Sequence, residues 1–389
     1  MINGESIINH PIRWAMIGGG KDSFIGYIHR SSALRDCSFN LSAGVFTRDI
    51  KKCRDFGVSI GVDPQRCYPD YKTMFAEESK RSDGIEAITI ATPNNTHYEI
   101  SKAALEAGLH VICEKPLCFK TEEAEELAAL TREKKLIYGV TYGYSGFQMI
   151  QQARKMVASG DLGKIRLVNM QFAYGSFNTG SAEASNNFVK WRMDPAVSGP
   201  SFIIADVGTH TLFLSETIVP QLEIEKLLCV KQSFVETRQL EDNAYVLLQY
   251  KGGAAGMLWV SAVNSGSGHG QKIRIVGEKA SIEWWDEHPN QLRYEIEGEP
   301  QRILDRGSKY LYPEAVEEDR IAGGHPEGLF ESWSNLYRRY AVAIDAAARK
   351  DYEFLKNYWY PDVNAGARGI QFVNTCVKSA DAGSIWVDY

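Results

Sequence analysis

Trp14-Ala15-Met16-Ile17 runs directly into Gly18-Gly19-Gly20, and Lys21-Asp22-Ser23-Phe24-Ile25-Gly26 then opens a helical segment. An apolar strand that ends on glycines and turns into a helix suits the first βα unit of a doubly wound sheet. Glycine is needed there because a side chain would keep the backbone from a pyrophosphate resting on helix N–H groups. The spacing departs from G-x-G-x-x-G: Ser23 stands where the third glycine would fall, and Gly26 comes later. A plain strand-to-helix turn would use the same glycines, so the weight rests on the pattern of the next 120 or so residues.

In that stretch apolar runs and helical patterns alternate. Candidate strands lie at 41–46, 87–91, 110–113 and 136–140, with helical patterns between them. Thr96-x-x-Glu99 reads as a capping box, and Gly108 as a helix stop after Ala107. Thr121 reads as a second cap, with Glu122 and Glu123 favourable at the positive end of the dipole. Strands alternating with helices predict a parallel, doubly wound Rossmann domain over residues 1–146.

After Gly146 the texture changes. A helix at 151–159 leads into a strand at 165–172, and a helical segment follows Gly208. Strand-like runs then come quickly, at 229–235, 244–250, 257–261, 272–276, 281–285 and 292–296. Turns such as Lys251-Gly252-Gly253 and Gly277-Glu278-Lys279 separate several of them, which predicts an antiparallel meander. Residues 302–324 read as a poorly patterned connector. Residues 327–347 and 363–380 return to helical spacing, and 385–387 are strand-like. The expected organisation is an open, mostly antiparallel sheet with helices on one face at 147–325. Residues 326–389 are expected to pack back between the domains.

The bulk numbers exclude several classes. The 389 residues are 44% hydrophobic and 24% charged, as in a soluble globular protein long enough for two cores. A formal charge of −6 without a basic run disfavours nucleic acid. No apolar stretch reaches the roughly 20 residues that span a bilayer, and residues 1–10 lack the apolar middle of a secretory signal. The 7 cysteines are scattered and odd in number. Cys113 and Cys118 form a Cys-x4-Cys spacing with no second pair, so free thiols in the cytoplasm are expected, with neither metal nor disulfides.

Val45-Phe46-Thr47-Arg48-Asp49 closes the second strand. A carboxylate there holds both ribose hydroxyls and excludes a 2′-phosphate, whereas an arginine welcomes it. Asp49 favours NAD and Arg48 favours NADP or stacks on adenine; the balance leans to NAD. Both would also serve as solvated turn residues.

Hydride transfer from an alcohol carbon needs a base for the proton and a positive charge for the developing alkoxide. Glu114-Lys115-Pro116 lies at the fourth strand's end, the edge where doubly wound sheets bind ligands. Asp206-Val207-Gly208-Thr209-His210, if helical, puts Asp206 and His210 on one face. A histidine titrating near neutrality is a suitable base. Taken singly, a lysine before proline is usually a solvated loop residue, and a single histidine is more often structural.

Together the motifs are specific. The glycine turn, Ala91-Thr92-Pro93-Asn94-x-x-His97, Ala107 through Pro116 and Asp206-x-Gly208-x-His210 resemble, in that order, the Gfo/Idh/MocA family, the glucose–fructose oxidoreductase and inositol dehydrogenase type. Phe24-Ile25-Gly26-x-x-His29-Arg30, Trp191-Arg192-x-Asp194-Pro195 and His325-Pro326-Glu327-Gly328 are similar to a sub-branch of scyllo-inositol and L-glucose dehydrogenases.

The resemblance implies an NAD(P)-dependent enzyme that oxidises a secondary hydroxyl of a cyclic polyol, sugar or inositol. It implies that Lys115, before a cis proline, meets the substrate hydroxyl, that Asp206 orients substrate, and that His210 is the acid–base group. It places Gly18, Gly19, Gly20, Phe24, Ile25, Thr47, Arg48, Asp49, Thr92, Pro93, Asn94, His97, Glu114 and Lys115 at the cofactor, with Glu114 near its ribose. Tyr144, Arg192 and His325 join Lys115, Asp206 and His210 at the substrate; packing, surface charge and a loop anchor are their respective alternatives.

Four departures from the branch stand out: Lys21-Asp22-Ser23 in the turn, Gly143 in place of an asparagine, the loop 264–270 without an acidic–amide pair, and Ser176 in place of an aromatic. They bear on substrate identity more than on reaction type. Two other functions fit the same motifs: an NAD-retaining glycosidase-like enzyme working through a keto sugar, and a non-catalytic dinucleotide sensor, which would tend to lose Lys115 or His210. The apolar alternation Tyr245, Leu247, Met257 and Trp259 predicts a sheet face buried in a homodimer or homotetramer.

Overall fold

The computed structural model describes residues 2–180 and 190–389. The chain divides into two units, Asn3–Gly143 with Leu329–Ala367 and Tyr144–Gly328 with Arg368–Tyr389, the latter including Ile2.

In the first unit a five-stranded parallel sheet has the order β2-β1-β3-β4-β5. The strands are β1 (Ile12–Gly18), β2 (Phe39–Val45), β3 (Ala87–Ala91), β4 (His110–Cys113) and β5 (Tyr138–Val140). The order reverses beside β1, and β3 pairs with it so that Gly18 lies opposite Ala91. Helices α1 (Phe24–Leu34), α2 (Ile50–Ser59), α3 (Tyr71–Glu78), α4 (His97–Glu106) and α5 (Thr121–Lys134) connect the strands. This is the doubly wound fold the alternation predicts.

The helix Leu329–Ala348 belongs to the same unit. Its buried Trp333, Leu336, Tyr337, Tyr340, Ala343, Ile344 and Ala347 recur at three- and four-residue steps, forming one apolar face. That face explains two glycines. A Cβ at Gly139 would fall 2.4 Å from the Tyr340 ring, and one at Gly143 would fall 2.0 Å from the Trp333 ring. Gly143, unusual for the branch, is the residue on which Trp333 can lie.

In the second unit a nine-stranded sheet has the order β13-β12-β11-β10-β6-β9-β8-β7-β14. The strands are β6 (Ile165–Ala173), β7 (Ile224–Gln232), β8 (Asn243–Tyr250), β9 (Ala255–Ser261), β10 (Gln271–Gly277), β11 (Ala280–Trp285), β12 (Gln291–Ile296), β13 (Arg302–Asp305) and β14 (Val387–Asp388). All neighbours are antiparallel except β6 and β9.

Ala244, Val246, Leu248 and Tyr250 point into a core shared with α6 (Gln148–Ala158) and the helix Thr209–Ile218. The alternate residues face outward: Leu167, Tyr245, Leu247 and Met257 are each more than 40% exposed, and the Tyr245 and Trp259 rings stack at 6.1 Å.

Several local expectations fail for physical reasons. Thr96 precedes α4, but its hydroxyl donates to Thr92 Oγ1 and Pro93 O, so the capping box does not form. Thr121 is the first helical residue of α5 rather than its cap. Residues 302–305 pair with β12 as the edge strand β13. Gly108, at φ +79°, does end α4 as expected.

Candidate active site

At the nucleotide edge, backbone replaces side chains. A Cβ at Gly18 would fall 2.2 Å from Ala91 O, at Gly20 2.5 Å from Phe46 O, and at Gly26 2.3 Å from Gly19 O. Gly18 and Gly19 lie at φ +82° and +67°, which glycine adopts freely. The turn therefore fits a dinucleotide: the cradle is closed to side chains and open to close backbone approach. Gly26 takes the helix-packing role of the third fingerprint glycine, and Ser23 Oγ caps α1 by accepting from Gly26 N at 3.1 Å. Asp22 is exposed at φ +66°, and Arg30 Nη1 donates to Gly19 O.

Past β2, Arg48 is exposed, and Asp49 caps α2, its Oδ1 accepting from Lys51 N at 3.0 Å and Lys52 N at 3.1 Å. Past β3 and β4, His97 is fully buried. Its Nδ1 lies 2.8 Å from Pro116 O and its Nε2 2.9 Å from Thr92 O. Both ring nitrogens face acceptors, so both carry hydrogen. Burial opposes that charge, but the Cys113 sulfur and the two carbonyls outweigh it and hold the pKa up to about 9.

The Lys115–Pro116 bond is cis, and Lys115 is half-buried. Beside it, Glu114 Oε1 takes hydrogen bonds from His29 Nε2 at 3.0 Å and from Thr141 Oγ1. Burial pushes the Glu114 carboxyl up, but the bond and charge of His29, with Lys115 and Thr141, bring it down to about 2. It is a carboxylate at every ordinary pH.

In the sheet unit, Asp206 sits in a wide π turn, Ile204–Gly208, that runs into the helix beginning at Thr209. Such turns re-aim side chains. Arg192 Nε lies 3.9 Å from Asp206 Oδ2, and its guanidinium covers the Trp191 ring at 4.6 Å. Tyr174 is buried; burial, and after it Asp206, pushes its phenol far above the usual range. The Tyr144 ring meets buried His210 edge-on at 4.9 Å, and its hydroxyl lies 3.1 Å from His269 Nε2. His269 Nδ1 bonds to the Asp286 carboxylate.

Residues 12–142 match the oxidoreductase family, NAD-binding Rossmann fold, and residues 154–389 match the oxidoreductase family, C-terminal alpha/beta domain. The chain belongs to the Gfo/Idh/MocA oxidoreductase family. It is similar to an inositol dehydrogenase homologue from Azotobacter vinelandii complexed with NAD+, at 58% identity and TM-score 0.98 over 100% of both chains. The structure of such a homologue from the same organism with NADH and myo-inositol aligns at 57% identity and TM-score 0.95, again over 100% of both chains. The oxidoreductase YfiI of Bacillus subtilis (strain 168) is 53% identical over 391 residues, covering 100% of each chain.

Within this Gfo/Idh/MocA chain, the expected residues separate by place. Gly18, Gly19 and Gly20 form the cradle, with exposed Phe24 and half-buried Ile25 following it. Thr47, Thr92 and Asn94 are half-buried and Pro93 is exposed at the strand ends. His97 is fully buried and ties Thr92 to Pro116 through its two ring nitrogens. In the sheet unit the expected residues meet in two pairs, Tyr144 with His210 and Arg192 with Asp206. His325 does not join the contacts around His210 among the described residues; it is exposed, and its backbone carbonyl is held by Arg306 Nη2 at 2.6 Å.

The sequence reading missed His269 and Asp286. A signal existed: the turn 277–279 closes a hairpin in which Lys272 pairs with Trp285. Extending that register brings the stretch 269–271 beside 286–288.

Proposed function

We propose that this protein is an NAD-dependent dehydrogenase oxidising a secondary hydroxyl of a cyclic polyol of the inositol class. The observation that carries the reading is the pairing of Arg192 with Asp206 and of Tyr144 with His210 and His269 in the sheet unit, hydrogen-bonding groups of mixed kind that suit a ring of hydroxyls. The solved homologue with NADH and myo-inositol supports the same substrate class.

NAD, when bound along the glycine turn, supplies the two-electron acceptor. Lys115 donates to the reacting oxygen and stabilises its developing negative charge. His210 takes the hydroxyl proton, and Asp206 orients the substrate and balances the imidazolium. Arg192 and Tyr144 bind further hydroxyls. Asp49, capping α2 through Oδ1, has Oδ2 to offer a ribose, which supports NAD over NADP.

The open apolar sheet face supports a homodimer or homotetramer. No helix among the described residues is long and apolar enough to cross a membrane. The seven free thiols support a reducing, cytosolic setting.

The test is NADH absorbance with myo-inositol and other cyclic polyols. Lys115→Ala should lower kcat by at least about 100-fold while NAD binding, followed by tryptophan quenching, is retained. Unchanged turnover would remove the mechanism. Failure of every polyol to reduce NAD would remove the substrate class.

A further inference from the structure

Behind Tyr144 lies a hydrogen-bond chain that the reaction above does not use. Asp286 ends the chain as an acceptor: its Oδ1 accepts from Gln271 N at 3.0 Å, and its Oδ2 faces His269 Nδ1. The hydrogen of that imidazole is therefore on Nδ1. The ring is held from its other sides as well. His269 N and Gly270 N both donate to Glu287 Oε1 at 3.1 Å, and Phe172 packs on the imidazole at 4.5 Å. Gly270 must be glycine, at φ +73° and with Ala173 O only 2.5 Å from where a Cβ would stand.

Among the described residues, Asp286, Glu287 and Tyr144 are the titratable groups in hydrogen-bond contact with this loop and ring. Burial holds the imidazole below its ordinary value, with Glu287 pulling the other way. A neutral ring protonated on Nδ1 has only a lone pair on Nε2. The Tyr144 hydroxyl, 3.1 Å away, then donates to it.

We propose that His269, held by Asp286, is a positioning residue that takes the Tyr144 hydroxyl proton as its hydrogen-bond partner and so makes the Tyr144 oxygen an acceptor toward substrate. The inference rests on the reading that Tyr144 faces the polyol. Its consequence is a specificity rule. The Tyr144 and His210 rings are 4.9 Å apart, close enough to address neighbouring ring carbons of one substrate. The carbon next to the reacting one must then carry a hydrogen-bond donor: a hydroxyl is accepted, whereas hydrogen, fluorine, a ketone or an ether oxygen is refused. The substrate class narrows to vicinal diols.

Two measurements test this. In ¹⁵N-histidine-labelled full-length protein at neutral pH, the His269 signal, assigned by its loss in His269→Phe, should show the neutral tautomer protonated on Nδ1. A ring protonated on Nε2 overturns the inference whether or not any substrate is known.

The second compares kcat/KM for myo-inositol with its monodeoxy and monodeoxyfluoro analogues. Fluorine accepts weakly but cannot donate, so at one ring position the fluoro and deoxy compounds should lose equally, about 10- to 100-fold. In His269→Phe the Tyr144 proton is released, and the fluoro analogue should regain ground over the deoxy one. The same fluoro-to-deoxy ratio in both proteins overturns the proposal. Absence of NADH formation with every polyol would instead sink the reading of the reaction, and the tautomer would then decide the inference alone.

Discussion

His29 Nε2 lies 3.0 Å from Glu114 Oε1, and the other nitrogen of the same ring lies 2.7 Å from the Tyr337 hydroxyl. The chain continues through Thr89 Oγ1, 2.9 Å from Tyr337, to Trp14 Nε1, 2.9 Å from Thr89. Indole can only donate and a carboxylate only accept, so the two ends of the chain are fixed: Trp14 donates to Thr89, and His29 donates to Glu114. The buried network joins α1, β1, β3, β4 and the helix Leu329–Ala348 and ends on the residue before Lys115. Replacing His29 by Leu takes one hydrogen-bond partner from a partly buried carboxylate and one from a buried phenol. The expected loss is about 2–4 kcal/mol, read as a lower midpoint in urea at an unchanged m-value. A midpoint equal to wild type would mean the network contributes nothing.

Two histidines of the first unit, His97 buried and His110 half-buried, predict opposite pH effects. His97 has a folded pKa of about 9, above its unfolded value. Its contribution is full below about 6.5 and is lost as pH rises through 9, a difference on the order of 3 kcal/mol. His110 is pushed down to about 4 by burial, against Glu86, and its Nδ1 accepts from Ile137 N at 2.9 Å. Its contribution is full above about 6.5 and fades as pH falls toward 4. Thermal unfolding of His97→Gln should therefore lack the alkaline decline of wild type. Parallel curves from pH 6 to 9.5 would rule that assignment out.

Asp22 places a negative charge in the glycine turn with its backbone in the left-handed region. Asp22→Gly removes both features. The dissociation constant for NAD should fall about 5-fold at low salt, and less at 0.5 M salt, where exposed charges are screened. A tighter complex that is insensitive to salt would point to backbone relief alone.

Gly143→Asn restores the residue common in the branch but drives a side chain into the Trp333 ring. The expected cost is at least about 2 kcal/mol, recovered in part by Trp333→Ala in the same chain. Additive losses in the double-mutant cycle would show that the two positions do not compete for space.

Leu247, 46% exposed, lies opposite Met257 on the open sheet face. Leu247→Lys should shift the sedimentation coefficient from an oligomer to a monomer while the circular dichroism spectrum is kept. A wild-type monomer would remove the proposed interface.

Much of the fold was legible because it is local. Strands 87–91 and 110–113 coincide with the reading: both are short apolar runs, bounded by charged residues or a helix stop, and buried on both faces. The edge strand Arg302–Asp305 was not legible, since only one neighbour and little burial select it. Nor was the parallel pairing of β6 with β9, which no turn encodes. Thr96 had the right spacing for a cap, but Thr92 and Pro93 offered its hydroxyl nearer partners. The candidate site divides in the same way. Lys115, Asp206 and His210 stand in ordered motifs, whereas His269 was passed over as part of a loop.

By itself the sequence determined the glycine turn, the alternation of strands and helices, the two-faced sheet and the motif lysine and histidine. Each depends on residues a few positions apart, where sterics and periodicity act. Only the tertiary structure decided which proton sits where. His29 meets Tyr337 across 308 positions and Tyr144 meets His269 across 125, and hydrogen-bond polarity is set by the partner that folding brings, not by the neighbour in the chain.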